Sequence, residues 1–147
     1  MVSLGRVTRS RRPFPLLNEL PCELHGVILD FLWDTTLLWA LELPIHRLQV
    51  SELNWHLALP FWSHGGHPFR VRPQQVAAEP GRYPEHHART MAADLLYPLD
   101  AVRRTDGRIT ILDGVHRLLK ARLGGLPSVR VRILEWKDLD AIAVGGS

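Results

Sequence analysis

The sequence predicts an α/β (α+β) fold: a small mixed β-sheet with packed helices. Three features of the last third carry that expectation. Residues 99–104 and 108–112 read as two strands joined around Asp106-Gly107, a tight-turn pair, and so predict a hairpin. Val115, Leu118, Leu119 and Leu123 then repeat at helical spacing and stop at Gly124-Gly125. Val129, Val131 and Ile133 alternate with Arg130 and Arg132, which predicts a closing strand. Strand, helix and strand in that order predict a right-handed parallel crossover with its ligand end at Asp113-Gly114.

The remaining elements follow in chain order. Residues 1–15 read as a flexible basic tail, with Arg6, Arg9, Arg11 and Arg12 ahead of Pro13 and Pro15. Residues 18–33 predict an amphipathic helix: Asn18 suits a cap, Pro21 a first turn, and Leu24, Val27, Ile28, Phe31 and Leu32 share a face. Trp39-Ala40-Leu41-Glu42-Leu43-Pro44 and Trp55-His56-Leu57-Ala58-Leu59-Pro60 echo each other as short extended segments ending at Pro. Residues 45–50 predict another strand, and the Gly-, Pro- and His-rich stretch 61–80 predicts mostly loop. Pro84 opens a second helix expected to reach Leu96, with Ala88, Ala92 and Leu96 in one stripe. The expected organisation is a tail (1–15), a helical N-terminal extension (16–37), one α/β domain (38–136) and a C-terminal tail (137–147).

At 147 residues, with 46% hydrophobic and 22% charged positions, the chain suits one soluble core. No apolar run nears membrane-spanning length, because Glu42 and Pro44 cut the richest stretch short. No signal-peptide pattern follows the N-terminal arginines, and Cys22 is the only cysteine. Both facts favour a reducing cytoplasm. The net charge of +3 is local. Four arginines lie in the first 13 residues, and residues 103–132 hold eight Arg or Lys against Asp106 and Asp113. Such focused charge suits a bound anion better than coating of nucleic acid, although the basic tail offers nucleic acid a foothold.

Asp113-Gly114-Val115-His116-Arg117 stands where a strand passes into a helix, and a helix start favours an anion. Gly114 lets the backbone approach a phosphate. Arg117 can hold it with two hydrogen bonds, and His116 can donate or carry a proton. Asp113 has three readings: a candidate magnesium ligand, an orienting partner of His116, or a plain helix cap. Lys120 lies one turn on and can share the phosphate face, or stay solvated. Glu52 is a candidate base for a substrate hydroxyl, against the plainer reading of a surface acid. Arg103, Arg104, Arg130 and Arg132 read as the polar side of a sheet. His64 and His67, with His56 nearby, have metal-like spacing, but the glycines between them hold side chains loosely. Of His86 and His87, beside Arg89, one could face the site. The five Trp read as packing.

The order of hairpin, Asp-Gly-x-His-Arg, helix, Gly turn and Val-rich strand resembles the ParB/sulfiredoxin-like superfamily. The residues that carry it are Asp106-Gly107-Arg108, the run from Ile111 to Leu118, Ala121, Gly125, and Val129 to Leu134. The resemblance covers residues 95–135 and extends weakly to 43–53. It implies that Gly114, His116 and Arg117 bind nucleotide phosphates, from ATP, ADP or CTP with Mg2+. Sulfiredoxins carry a Cys directly before His-Arg, where this chain has Val115, so reduction of sulfinic acid is not expected. Partitioning ParB proteins add a helix-turn-helix domain for which this chain leaves no room. Closest in chemistry are small free-serine kinases with Asp-Gly-His-His-Arg. Asp113, Gly114, His116 and Arg117 match that motif, and Glu52 falls near an early acidic base. The expectation is nucleotide-dependent phosphotransfer to a small-molecule or protein acceptor, or nucleotide hydrolysis. The alternative is a nucleotide-sensing or DNA-binding module without turnover.

Overall fold

Burial along residues 128–133 follows the alternation of Val129, Val131 and Ile133, and a computed structural model shows the result for residues 10–145. In chain order the strands are β1 (Ile45–Gln49), β2 (Trp62–His64), β3 (His67–Val71), β4 (Leu99–Arg103), β5 (Ile109–Asp113) and β6 (Ser128–Glu135). The helices are α1 (Thr35–Ala40), α2 (Val50–Leu53), α3 (Pro73–Ala78), α4 (Pro84–Ala92) and α5 (Val115–Leu123). Four strands form one mixed sheet in the order β1-β6-β4-β5, and β2 and β3 form a separate hairpin. The fold class is the predicted one: a small mixed sheet packed with helices.

The crossover differs from expectation. β4 lies between β5 and β6, so the parallel pair is β4–β6, while β4 and β5 are antiparallel. Asp113 at the end of β5 pairs with Asp100 at the start of β4, and Leu99 pairs with Val131 early in β6. The chain therefore leaves β5 and enters β6 at the same end of the strands. The nine residues of α5, about 13 Å long, suffice to cross the two strand spacings between them.

Each sheet face has its own core. Leu99, Ala101, Ile111, Val131 and Ile133 pack under Leu118, Leu119 and Ala121 of α5, with Leu53, Val71 and Val76 closing the layer. On the other face Val102 and Leu134 meet Leu29, Phe31, Leu38, Leu139 and Ile142. The second core joins both ends of the described chain. Isolated bridges link Arg11 to Gly145, Pro13 to Phe31 and Trp33 to Ala143, and Arg11 contacts Asp140 at 2.7 Å.

Residues 10–15 are thus part of the packed structure, not a free tail; the expectation for residues 1–9 lies outside the described residues. The helix expected over 18–33 is replaced by two single turns, Leu17–Glu19 and Cys22–Leu24, and an extended run. Val27, Leu29 and Phe31 are buried at period two, and Gly26 at φ +76° ends the helical path. Pairing with the C-terminal segment overrides the helical spacing. Neither Trp-led echo is a strand: Trp39 sits in α1, capped by Asp34, and residues Asn54–Ala58 form a 3-10 turn. The stretch expected as loop holds β2, β3 and α3. Gly65 and Gly66, both at positive φ, make a two-residue hairpin turn there. The second helix stops at Ala92, short of Leu96.

Candidate functional site

Glycine is required at position 114 for steric reasons. Its φ is +114°, and an added Cβ would stand 3.0 Å from Leu99 Cγ and 3.3 Å from Leu99 Cα. The turn therefore presses β5 and α5 onto the first residue of β4. Gly114 is itself the N-cap of α5 and has no side chain to offer. The N–H groups of the first turn have no partner inside the helix. Gly114, Val115 and His116 line a cavity of about 420 Å³ at that point.

Asp113 does not cap the helix. Its Oδ2 accepts from Trp39 Nε1 at 3.4 Å and from an Arg117 guanidinium nitrogen at 3.3 Å. Arg117 also donates to the backbone carbonyls of Pro98 and of Tyr97, the latter at 3.3 Å. Its charge ties the lead-in of β4 to the start of α5, with the side chain mostly buried. Lys120 is engaged as well: Nζ donates to Met91 O at 2.9 Å and Ala93 O at 2.6 Å, covering the carbonyl end of α4. Glu52 is exposed on α2 and does not line the cavity. The turn thus gathers Asp113, Gly114, His116 and Arg117, while Lys120 and Glu52 stand apart from the cavity wall.

His116 stacks on Trp62 with ring centroids 4.0 Å apart and planes 10° apart. His86 from α4 stacks on the same indole at 4.8 Å, and its Nδ1 lies 3.4 Å from His116 Nε2. His86 Nε2 donates to Ser63 O at 2.7 Å, which leaves Nδ1 as an acceptor for the His116 N–H. Burial lowers the His116 pKa to about 4, and Arg89 and His86 push it the same way. His116 is therefore neutral at pH 7, with its Nε2–H directed at His86. Arg89, exposed on α4, shares the cavity wall and forms no ion pair among the described residues. The aromatic side of the cavity comes from Phe14, Phe61 and Phe69. Phe69 is held at φ +57°, a conformation an aromatic residue rarely adopts.

A second recess, of about 570 Å³, lies on the Arg117 side of the turn, lined by Trp39, Tyr97, Asp100 and Arg132 among others. Asp100 and Arg132 are cross-strand neighbours with Oδ1 and Nε 3.1 Å apart. Both atoms are buried without an aligned hydrogen bond, so the contact is ionic. Burial raises the Asp100 pKa and the guanidinium of Arg132 opposes that rise. Arg132 also donates to Leu38 O at 2.9 Å and Leu41 O at 3.0 Å, holding α1 on the sheet.

The other histidines are structural or solvent-facing. His56 is fully buried: Nδ1 donates to Leu53 O at 2.7 Å and Nε2 accepts from the Ile111 N–H at 3.1 Å. That second bond covers the outer edge of β5. His64 and His67 face each other across the hairpin tip, both exposed. No group of three metal-ligating side chains occurs among the described residues, nor any helix long and apolar enough to cross a membrane.

Sequence reasoning overlooked Trp62, Asp100 and Tyr97. Asp100 had a signal, an acid inside an otherwise apolar strand; Trp62 had none, because its role depends on two histidines brought in from other elements. Comparison with protein families, curated proteins and solved structures finds no match.

Proposed function

We propose that the cavity beside Gly114 binds a phosphate-bearing nucleotide. The observation that carries this reading is the uncapped first turn of α5 opening onto a cavity that also holds Arg89 and aromatic rings. Phosphate would accept from the Val115 and His116 N–H groups and pair with Arg89. The base would lie against the Phe61 and Phe69 side. The resemblance to the ParB/sulfiredoxin-like superfamily supports the same turn as the phosphate contact. Arg117 would serve by holding the turn, since its donors already serve Pro98, Tyr97 and Asp113.

Binding without turnover is the form the geometry favours over phosphotransfer. Phosphoryl transfer needs an oriented nucleophile and a base within reach. Glu52 is not on the cavity wall, and His116, with its pKa near 4, is a weak base. The donor set does not suit a protein-held magnesium ion. Asp113 Oδ2 already meets Arg117 and Trp39, and Asp100 faces Arg132. Magnesium prefers carboxylates with free lone pairs, so no step is assigned to it.

Melting the full chain with ATP, ADP, CTP and GTP in turn tests the reading. At a hundredfold excess over Kd, binding adds about 2.7 kcal/mol and raises Tm by roughly 5–10 °C. If none of the four moves Tm, the nucleotide reading fails.

A further inference from the structure

The sheet face turned away from α5 is only partly covered. The second core lies over Val102 and Leu134, whereas Ile45, Arg47 and Arg130 stay outside it. Arg47 and Arg130 are direct cross-strand partners, so their side chains share that open face. Arg47 donates to Ser128 Oγ at 3.0 Å and Arg130 to Leu96 O at 3.0 Å. Neither forms an ion pair among the described residues.

Tyr97 stands beside them. It lines a small recess with Arg47, Leu126 and Arg130, and it also lines the larger recess with Trp39 and Arg132. It therefore forms the ridge of one continuous strip. Tyr97 is 67% exposed and Trp39 60%, unusual for rings of that size on a folded surface. The acids at the Trp39 end have partners: Asp100 faces Arg132, and Asp113 faces Arg117. Asp94 accepts from the Leu96 N–H in a local turn. Two arginines without acid partners remain at the other end.

We propose that this strip binds single-stranded nucleic acid, with bases stacked on Tyr97 and Trp39 and backbone phosphates at Arg47 and Arg130. A single strand fits better than a duplex, whose base faces are hidden within its own stack. The charge favours a polyanion over a neutral apolar peptide. The proposal is independent of the nucleotide cavity, which lies beside Gly114 and shares none of these four side chains.

Fluorescence anisotropy of a labelled oligothymidylate, titrated with the full chain, tests it. Tyr97→Ala should weaken binding roughly fivefold to a hundredfold, with Tyr97→Phe close to wild type. Arg47→Gln combined with Arg130→Gln should flatten the slope of log affinity against log salt by about 1.4. All variants should melt like wild type and keep the nucleotide-induced shift in Tm, if wild type shows one. The proposal is overturned if wild type does not bind the oligonucleotide. Binding that these variants leave unchanged would assign it to other basic residues and equally overturn it. Self-association that Tyr97→Ala abolishes, without oligonucleotide binding, would make the strip a protein contact instead.

Discussion

The two sides of the Gly114 turn use charge in opposite ways. On the Arg117 side, Asp113, which also lines the cavity, meets Arg117 and Asp100 meets Arg132, and both guanidiniums also hold backbone carbonyls. On the cavity side, Arg89 has no ion partner among the described residues, the first turn of α5 has no side-chain cap, and His116 is neutral. Paired charges on one side hold the strands and helix in place. The ionic capacity left over faces the cavity. A motif that reads as one phosphate grip divides, in three dimensions, into a structural half and a half that faces the cavity, where we place the phosphate.

Acid should disturb the cavity side through His116 and the edge of β5 through His56, and gives the largest expected effect. His56 and His116 each have a pKa lowered to about 4, so at pH values between that and the ordinary 6.5 the unfolded chain binds more protons. Stability is fully present above pH 6.5 and falls as pH drops toward 4, by at most about 1.4 kcal/mol per pH unit for each histidine. Urea melts across that range measure the slope. His116→Gln should remove part of it; a slope unchanged in that variant would show that His116 is not held neutral.

Arg132→Met should cost about 3 kcal/mol, because it leaves Asp100 buried without its counter-charge and frees the Leu38 and Leu41 carbonyls. Chemical denaturation measures the loss. A cost below about 1 kcal/mol would mean that the pair is solvated and that the two sides differ less than described. Arg117→Ala should cost about 2 kcal/mol for the carbonyls and carboxylate it strands. If it abolishes nucleotide binding while stability stays intact, the division between a structural and a binding side is wrong.

Legibility in the sequence followed the range of the contacts. The β4–β5 hairpin and α5 depend on neighbours in the chain: the Asp106-Gly107 turn, the alternation of Ile109 and Ile111, and the glycines that bracket the helix. The parallel crossover was misplaced because β4 inserts between β5 and β6, and strand order does not appear in local periodicity. Residues 18–33 failed for a related reason. Their helical spacing is also compatible with burial of alternate residues, and a distant partner, the segment around Ala143, decided between the two. At the site, Asp113, Gly114, His116 and Arg117 were legible as neighbours in a motif. The division of labour was not, since it depends on Pro98, Trp39, Trp62 and His86 arriving from other elements.

Calorimetric titration of ADP into wild type, Arg89→Ala and Arg117→Lys separates a phosphate contact at Arg89 from one at Arg117. Arg117→Lys keeps a charge that can still reach the Pro98 carbonyl. Wild type should bind saturably, Arg89→Ala should bind at least tenfold more weakly with Tm unchanged, and Arg117→Lys should keep near-wild-type affinity. Wild-type affinity in Arg89→Ala, together with loss of binding in Arg117→Lys, would place the phosphate on Arg117 and overturn the division between the two sides of the turn.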